Sequence, residues 1–190
     1  TNYLWQGDRK HKGQAIFAKP HISLERLDWP VTVGDGALKH FIPCLVEQSY
    51  VLLAVWTHQN KGVANPYVGQ LWAFLQLHAA KLGANALLAG DFNSNAYWDK
   101  PRRDWNQSDV VRLLANRGVQ SCYHLQHEEA HGQESIPTFY LTKKLEKPYH
   151  IDYVFAAPPW VSRFSQLSIG QPTDWLRYSD HMPLFVSFDK

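Results

Sequence analysis

Residues 86–95 read Ala-Leu-Leu-Ala-Gly-Asp-Phe-Asn-Ser-Asn, an apolar strand that ends where polar side chains begin. Residues two apart on an extended chain point to the same side, so Asp91 and Asn93 are expected to face one point. A carboxylate and a carboxamide placed in this way can hold a hard cation or orient a water molecule. The alternative is an Asx turn, because Asp and Asn are common turn residues, and this motif alone does not separate the two interpretations.

Two further acidic motifs follow later in the chain. Residues 150–155 read His-Ile-Asp-Tyr-Val-Phe and place Asp152 in an apolar strand, where a charge is costly unless it is paired or bound to metal. Residues 179–184 read Ser-Asp-His-Met-Pro-Leu and place Asp180 beside His181, which a nearby Asp152 could keep charged. Taken singly, a strand-end Asp that reaches solvent and a surface-loop Asp-His pair are the simpler interpretations.

The hydrophobic pattern predicts an α/β layered domain. One helix is expected from an Asn65 cap and Pro66 in its first turn to Gly83, and a second from a Ser108 cap to Gly118. Because repeats and flexible linkers are absent from the sequence, residues 1–190 are interpreted as a single domain. Strands are expected at residues 14–18, 40–46, 50–56, 86–89, 138–141, 150–156 and 184–188.

The composition indicates a folded protein, with 45% hydrophobic and 19% charged residues in a chain of 190. A formal net charge of +2 argues against electrostatic capture of nucleic acid by the whole surface, although a local basic patch remains compatible with it. The sequence lacks the apolar run of roughly 20 residues that a membrane helix requires. Cys44 and Cys122 have apolar or aromatic neighbours and are interpreted as buried free thiols, which makes the cytoplasm the default compartment.

The three acidic motifs, taken in order, resemble the endonuclease/exonuclease/phosphatase family. The resemblance extends from about residue 12 to residue 188 and implies two packed mixed β-sheets flanked by helices, a four-layer sandwich with the active site at one end. Members normally begin with an Asn-containing strand and a Gln-Glu pair whose Glu binds metal. Neither is found here, and Glu25 and Glu47 have no matching context. We therefore expect that the N-terminal strands are missing and that a signal peptide would go unseen, since the chain begins with Thr1.

The resemblance also implies roles for individual residues. Asp91 would orient or deprotonate the attacking water, and Asn93 would help to hold that water and a phosphate oxygen. Asp180 and Asp91 would bind a divalent cation, Mg²⁺ or Mn²⁺. His181 would stabilise charge on the phosphoryl oxygens, while Asp152 would fix its ring and its protonation.

A further catalytic candidate follows the strand at residues 50–56. His58 resembles the histidine of a Thr-His segment in the family, where it would protonate the leaving oxygen or bind phosphate, with Asn60 as a neighbour. A strand-end histidine exposed to solvent is the alternative.

The segment 98–105 joins basic and aromatic residues soon after Asn93. Trp98, Arg102 and Arg103 are candidates for substrate binding, since Arg grips phosphate and Trp stacks on a base, whereas a solvated loop with anchoring tryptophans is the alternative. A second cluster contains Cys122, His124, His127 and His131. Its spacing matches no common structural zinc site, which favours a polar loop after the second helix.

Together these features predict a divalent-metal-dependent phosphodiesterase, most simply a nuclease that uses an activated water for in-line attack. The partner would be a phosphoester substrate, nucleic acid included, and the oligomeric state is left open. Two alternatives remain: a phosphoesterase acting on phospholipids or inositol phosphates, and a degenerate member that binds phosphate without catalysis.

Overall fold

A six-stranded mixed sheet forms the centre of the fold in the computed structural model, which describes residues 2–30, 32–33, 36–59 and 66–189. The strands, in chain order, are β1 (Tyr3–Arg9), β2 (Lys12–Phe17), β3 (Leu24–Arg26), β4 (Thr32–Val33), β5 (Gly36–Ala37), β6 (Phe41–Val46), β7 (Tyr50–Trp56), β8 (Ala86–Asp91), β9 (Gln120–Ser121), β10 (Phe139–Tyr140), β11 (Pro148–Tyr149), β12 (Asp152–Ala156), β13 (Phe164–Ile169) and β14 (Leu184–Phe188). The helices are α1 (Val68–His78), α2 (Gln107–Ala115), α3 (Cys122–His127), α4 (Pro158–Val161) and α5 (Pro172–Trp175), with short 3₁₀ turns at Ala79–Leu82, Ala96–Trp98 and Leu141–Lys143. None of the helices among the described residues is long and apolar enough to cross a membrane.

The central sheet has the strand order β3-β6-β7-β8-β12-β9. Strands β7 and β8 are parallel, and α1 lies between them in sequence, whereas the other pairs are antiparallel. Side chains along each strand alternate between two faces because the strand repeat is two residues. On β12, Tyr153 and Phe155 enter one core, while Val154 and Ala156 enter the other. The sheet is therefore buried on both faces.

One core lies between the sheet and helices α1 and α2. Leu71, Phe74 and Leu75 of α1 are almost fully buried there against Leu53 and Leu88 of the sheet. Burying one such side chain contributes about 1.5–3 kcal/mol.

The opposite face is covered by α3 and by two antiparallel hairpins. Hairpin β13–β14 packs over β12, and Leu167 is buried with Cys122 and Tyr123 of α3. Hairpin β1–β2 contacts β6 and β7, and the Lys12 ammonium lies 5.8 Å from the centre of the Trp56 ring. The expected mixed α/β fold is confirmed, with this second layer built from separate hairpins among the described residues.

Helix α1 begins later than the sequence predicts. Asn65, the expected cap, lies outside the described residues, as does Asn60. Pro66 lies before the helix and not in its first turn. The Gly69 N–H donates to the Pro66 carbonyl, and the Gln70 N–H donates to the Tyr67 carbonyl. The helical path continues through the 3₁₀ turn to Gly83, where a φ of 70° ends it as predicted.

Helix α2 is capped at a different residue from the one predicted. The N-cap is Asn106, not Ser108, and the Asp109 carboxylate accepts a hydrogen bond of 2.7 Å from the Asn106 N–H. The Ser108 N–H is instead satisfied by the Asp99 carboxylate at 3.1 Å. An acidic side chain in the first turn also complements the helix dipole, which accounts for the earlier start.

The segment after α2 is not the polar loop that the sequence suggested. Residues 122–127 form α3, because Cys122 and Tyr123 are apolar enough to be buried against β12 and β13. The two cysteines are free and buried, as predicted.

Candidate active site

Two carboxylates meet where β8 and β12 end. Asp152 is the direct partner of Asp91 in the antiparallel register of these strands. Both side chains project on the face that carries Leu87 and Val154, away from the core beneath α1. Gly90, beside Asp91, has a φ of 142°, and a Cβ there would lie 1.9 Å from the Val55 carbonyl oxygen, so only glycine lets β7 and β8 approach this closely.

Asn93 holds the Asp91 carboxylate through two hydrogen bonds. Its backbone N–H donates to Asp91 Oδ1 and its Nδ2 to Asp91 Oδ2, each at 2.7 Å. The first is an Asx-turn hydrogen bond, so the turn and the functional arrangement coexist. The two side chains converge because Asn93 turns back with a φ of 44°, and not, as the sequence argument assumed, because the strand continues. Asn93 Nδ2 also donates to the Thr57 carbonyl at 2.7 Å, which ties the turn to the end of β7.

Asp152 pairs with His181 across 29 residues of chain. His181 Nδ1 lies 3.0 Å from Asp152 Oδ2 and 3.1 Å from Oδ1. The Asp152 side chain is 15% exposed and the His181 side chain 33% exposed. The simpler interpretations, a solvent-facing Asp and an unrelated surface pair, are therefore wrong, and the two motifs form one constellation.

Thr138, which the sequence placed in a predicted strand, supports this pair through its hydroxyl group. Its hydroxyl donates to Asp152 Oδ2 at 2.7 Å and accepts the N–H groups of Ile151 and Asp152 at 3.0 and 3.1 Å. The Thr138 side chain is fully buried. The sequence signal was a threonine between Pro137 and Phe139 ahead of the second acidic motif.

The loop that carries His181 is fastened to β10. The Tyr140 N–H donates to the Asp180 carbonyl at 2.8 Å, and the Met182 N–H donates to the Thr138 carbonyl at 2.7 Å. The Phe139 ring lies 4.6 Å from the His181 ring, centre to centre. The histidine is thus held by backbone on both sides and by ring packing.

The electrostatics of the site favour a cation. Burial, followed by the charge of Asp152, raises the pKa of Asp91 to about 7, although His181 and the Asn93 N–H act in the opposite direction. Burial lowers the pKa of His181, but the hydrogen bond and charge of Asp152 outweigh it, and the net pKa is raised. The charge of Asp180 also raises the pKa of both groups. Converging buried carboxylates of this kind fit a divalent cation, which neutralises their repulsion.

Ligand atoms of Asp91, Asp152 and His181 all lie within 4.8 Å of one another. The sequence paired Asp91 with Asp180 as metal ligands, whereas the group that the structure brings together contains Asp152 and not Asp180. Carboxylate oxygens suit Mg²⁺ or Mn²⁺.

The segment after Asn93 contributes to a cavity of about 360 Å³. Asn93, Trp98 and Arg103 line it together with Trp105 and Lys100. The Arg103 guanidinium lies 4.5 Å from the centre of the Trp105 ring, and its Nε donates to Asn106 at 2.7 Å. Two of the three predicted substrate residues therefore share a cavity with Asn93, while Arg102 is exposed and does not line it.

His58 lies in a separate cavity of about 420 Å³. It lines this space with Arg9 and Lys12. Its ring centre lies 4.2 Å from that of His40 and 4.9 Å from that of Trp56. It does not belong to the Asp91, Asp152 and His181 group, and its catalytic role stays a prediction.

Glu25 and Glu47 take no part in the site. Glu25 accepts a hydrogen bond of 2.6 Å from Gln48, and Glu47 accepts one from the Ser23 N–H, both in exposed positions near the β3 edge. The decision not to assign them to the metal is consistent with these positions.

Comparison with known proteins gives one family and several similar structures. The model of the Endonuclease/Exonuclease/phosphatase family matches residues 2–181. An AP endonuclease from Archaeoglobus fulgidus has 17% identity and a TM-score of 0.68, and the match covers 99% of this chain and 79% of that one. The 3′ phosphatase NExo from Neisseria, bound to product DNA hairpin, has 16% identity and a TM-score of 0.65 with the same coverage. No curated protein sequence matches the chain.

Proposed function

Because the chain belongs to the endonuclease/exonuclease/phosphatase family, whose members hydrolyse phosphoesters, we propose that it is a divalent-metal-dependent phosphodiesterase that cleaves nucleic acid. The observation that carries this proposal is the constellation of Asp91, Asp152 and His181 at one end of the sheet. The neighbouring cavity with Trp98 and Arg103 favours a nucleic acid substrate, since it offers a stacking surface beside a phosphate-binding cation.

Asp91 is the general base in this proposal. Asn93 fixes both oxygens of its carboxylate, so that the base keeps one orientation while it accepts a proton from water. Proton transfer of this kind contributes roughly 10²–10⁴-fold to a rate.

His181 stabilises the negative charge that develops on the phosphoryl oxygens. Asp152 binds Nδ1, so Nε2 is left to face substrate, and the raised pKa favours the protonated ring. Thr138 keeps Asp152 in place during this step. His181 thus acts as a charged donor whose orientation is set by two further residues.

Asp91, Asp152 and Asp180 would hold Mg²⁺ or Mn²⁺. The bound cation would neutralise charge on the phosphate and promote ionisation of the attacking water. His58 would protonate the leaving oxygen or bind a second phosphate, with Arg9 and Lys12 alongside.

A substrate panel tests the proposal directly. The purified chain is assayed with duplex DNA containing an abasic site, DNA with a 3′-phosphate, sphingomyelin and an inositol polyphosphate, each with Mg²⁺, Mn²⁺ or EDTA. We expect metal-dependent cleavage of a DNA substrate, and losses of roughly 10²–10⁴-fold in kcat for Asp91→Ala and for His181→Ala. Asp174→Asn, an exposed Asp on α5, serves as the matched control with unchanged rates.

Three outcomes contradict the proposal in different ways. Turnover of sphingomyelin or inositol phosphate, without cleavage of DNA, would show that the substrate is a phospholipid or an inositol phosphate and not nucleic acid. DNA binding without turnover under every metal condition would favour a degenerate, non-catalytic member. Full activity in both alanine variants would place the chemistry elsewhere.

A further inference from the structure

A second cluster of metal-ligating side chains lies on the opposite face of the sheet from Asp91. Ligand atoms of His124, His131 and Glu134 all lie within 4.8 Å of one another. His124 Nε2 is 3.2 Å from Glu134 Oε1, and His131 Nδ1 is 4.0 Å from the same oxygen. The two imidazole rings are stacked with their centres 3.5 Å apart. Glu134 is almost fully buried, with a side chain only 1% exposed.

Neighbouring groups orient the atoms that face the centre of this cluster. His124 Nδ1 is bound to Ser121 Oγ at 2.8 Å, which leaves Nε2 facing Glu134. Glu134 Oε2 accepts the Gly132 N–H at 3.0 Å and Asn95 Nδ2 at 2.9 Å, which leaves Oε1 facing the histidines. Hydrogen bonds to the far atoms of metal ligands are the usual means by which proteins fix ligand orientation.

His131 Nδ1 is the third atom of this cluster. This atom is buried and has no hydrogen-bond partner among the described residues, although it points toward Glu134 Oε1.

We propose that His124, His131 and Glu134 bind a zinc ion, with water as the fourth ligand. Two imidazoles and one carboxylate form a ligand set that suits Zn²⁺ and is too rich in nitrogen for Mg²⁺. With zinc–ligand bonds of about 2.0–2.1 Å, the ligand atoms of a tetrahedral site lie about 3.3 Å apart. The distance between His124 and Glu134 already fits, whereas the His131 ring, now stacked on His124 at an interplanar angle of 25°, must rotate so that its nitrogen points at the ion.

An adjacent cavity of about 180 Å³ provides a route for the ion and its water. Ser121, His124 and His131 line it, together with Phe155 of β12 and residues of α2 and α3. An entry path of this kind is one of the requirements for a metal site in a folded protein.

Zinc at this position would stiffen the frame of the active site. Asn95 Nδ2, which donates to Glu134, also donates to the His150 carbonyl at 2.9 Å. Asn95 lies two residues after Asn93, and His150 lies two residues before Asp152. Residues 128–138 contain no helix or strand, so the ion would anchor the segment that ends at Thr138. The proposed zinc is structural and does not depend on the nature of the substrate.

Metal titration of the intact chain tests this inference. The chain is stripped with a chelator and titrated with Zn²⁺ and Co²⁺ in excess Mg²⁺, which occupies the oxygen-rich active site. We expect one equivalent of tightly bound zinc, visible d–d absorption of Co²⁺ from a nitrogen-containing tetrahedral site, and a higher Tm with zinc. His131→Ala and Glu134→Gln should lose zinc affinity by at least 100-fold, and Ser121→Ala by 10–100-fold.

His127→Ala is the matched control, because His127 lies in the same segment but packs its ring on Tyr123, outside the cluster. It should bind zinc as the unmodified chain does, and so should Asp91→Asn. Far-UV circular dichroism verifies that each variant folds; should His131→Ala unfold, Glu134→Gln and the unmodified chain still decide the result. Absence of zinc binding to the unmodified chain would overturn the proposal, as would equal affinity in Glu134→Gln and His127→Ala.

Discussion

Asp91 and Asp152 are direct partners across β8 and β12, so two carboxylates with different neighbours meet at one end of the sheet. Asp91 is held by the amide groups of Asn93, whereas Asp152 is held by Thr138 and His181. Two acids whose surroundings differ in this way can take different roles. In the proposed reaction Asp91 exchanges a proton, and Asp152 remains a charged support for the histidine.

Ionisation of Asp91 is expected to lower the free energy of unfolding at neutral pH. Its folded pKa of about 7 lies above its ordinary value of 3.8, so the folded state holds the proton more tightly and stability falls as pH rises from about 4 to about 7. Each pKa unit corresponds to about 1.4 kcal/mol. His181 acts with the same sign, since its stabilisation is present below pH 6.5 and is lost as pH rises through its raised folded pKa.

Asp91→Asn should therefore raise the Tm at pH 8 in EDTA, with a much smaller effect at pH 5. Thermal denaturation at both pH values measures the difference, and Asp174→Asn controls for the loss of one surface charge. Added Mg²⁺ should stabilise the unmodified chain more than the variant, because the cation neutralises Asp91. A Tm difference that does not depend on pH would contradict the electrostatic cause.

Thr138→Val should weaken both stability and catalysis. The substitution keeps the shape but removes the hydroxyl that serves Asp152 and two backbone N–H groups, at a cost of roughly 1–3 kcal/mol. We expect the basic limb of the pH–rate profile to move to lower pH, because a looser Asp152 supports the charge on His181 less well. Thr138→Ser keeps the hydroxyl and should restore the profile, which a role in packing alone would not explain.

Gly90→Ala should destabilise the fold by about 3 kcal/mol or more, because a methyl group would collide with the Val55 carbonyl oxygen. Gly83→Ala is the matched control. Gly83 also has a positive φ, of 70°, but a Cβ there meets no atom within 4 Å, so the cost should be limited to backbone strain of about 1–3 kcal/mol. Urea denaturation compares the two variants. Equal midpoints would show that the close approach of β7 and β8 is not the constraint.

Arg103→Ala should weaken substrate binding more than Arg102→Ala. Arg103 lines the cavity beside Asn93 and packs on Trp105, whereas Arg102 is exposed. We expect about a tenfold rise in KM for a DNA substrate with Arg103→Ala, a smaller salt dependence of binding, and little change with Arg102→Ala. Fluorescence anisotropy at several salt concentrations provides the binding measurement. A larger effect of Arg102→Ala would exchange the assigned roles of the two arginines.

The sequence predicted the elements that have a strong local signal. The strand bounds at Tyr50–Trp56 and Leu184–Phe188 agree with the structure, because both runs are apolar and are followed or preceded by polar turns. The three acidic motifs were recognised for the same reason, since polar residues beside apolar strands are conspicuous. Their convergence needed the resemblance to a family, because nothing local relates Asp91 to His181.

Other features depend on contacts distant in sequence and were missed. Strand β13 alternates serine and glutamine with apolar residues and is defined by pairing with β14. The role of Thr138 was not predicted, because its hydrogen bond to Asp152 joins side chains 14 residues apart and forms only in the folded chain. The group of His124, His131 and Glu134 was not predicted as a metal site. Its third member, Glu134, is neither Cys nor His, so the Cys and His spacing of this segment does not indicate it.

Phe92 helps to explain why the Asp91 carboxylate points away from the core. Its fully buried ring stacks near Phe155 under α1, immediately after Asp91 on the opposite face. If β8 slipped by one residue against β12, an ionised acid would enter the aromatic core and a phenyl ring would enter the cleft. That register would be strongly destabilised. Mutations that preserve the hydrophobic pattern of β8 therefore also preserve the direction of the Asp91 side chain, even when the surrounding loops change.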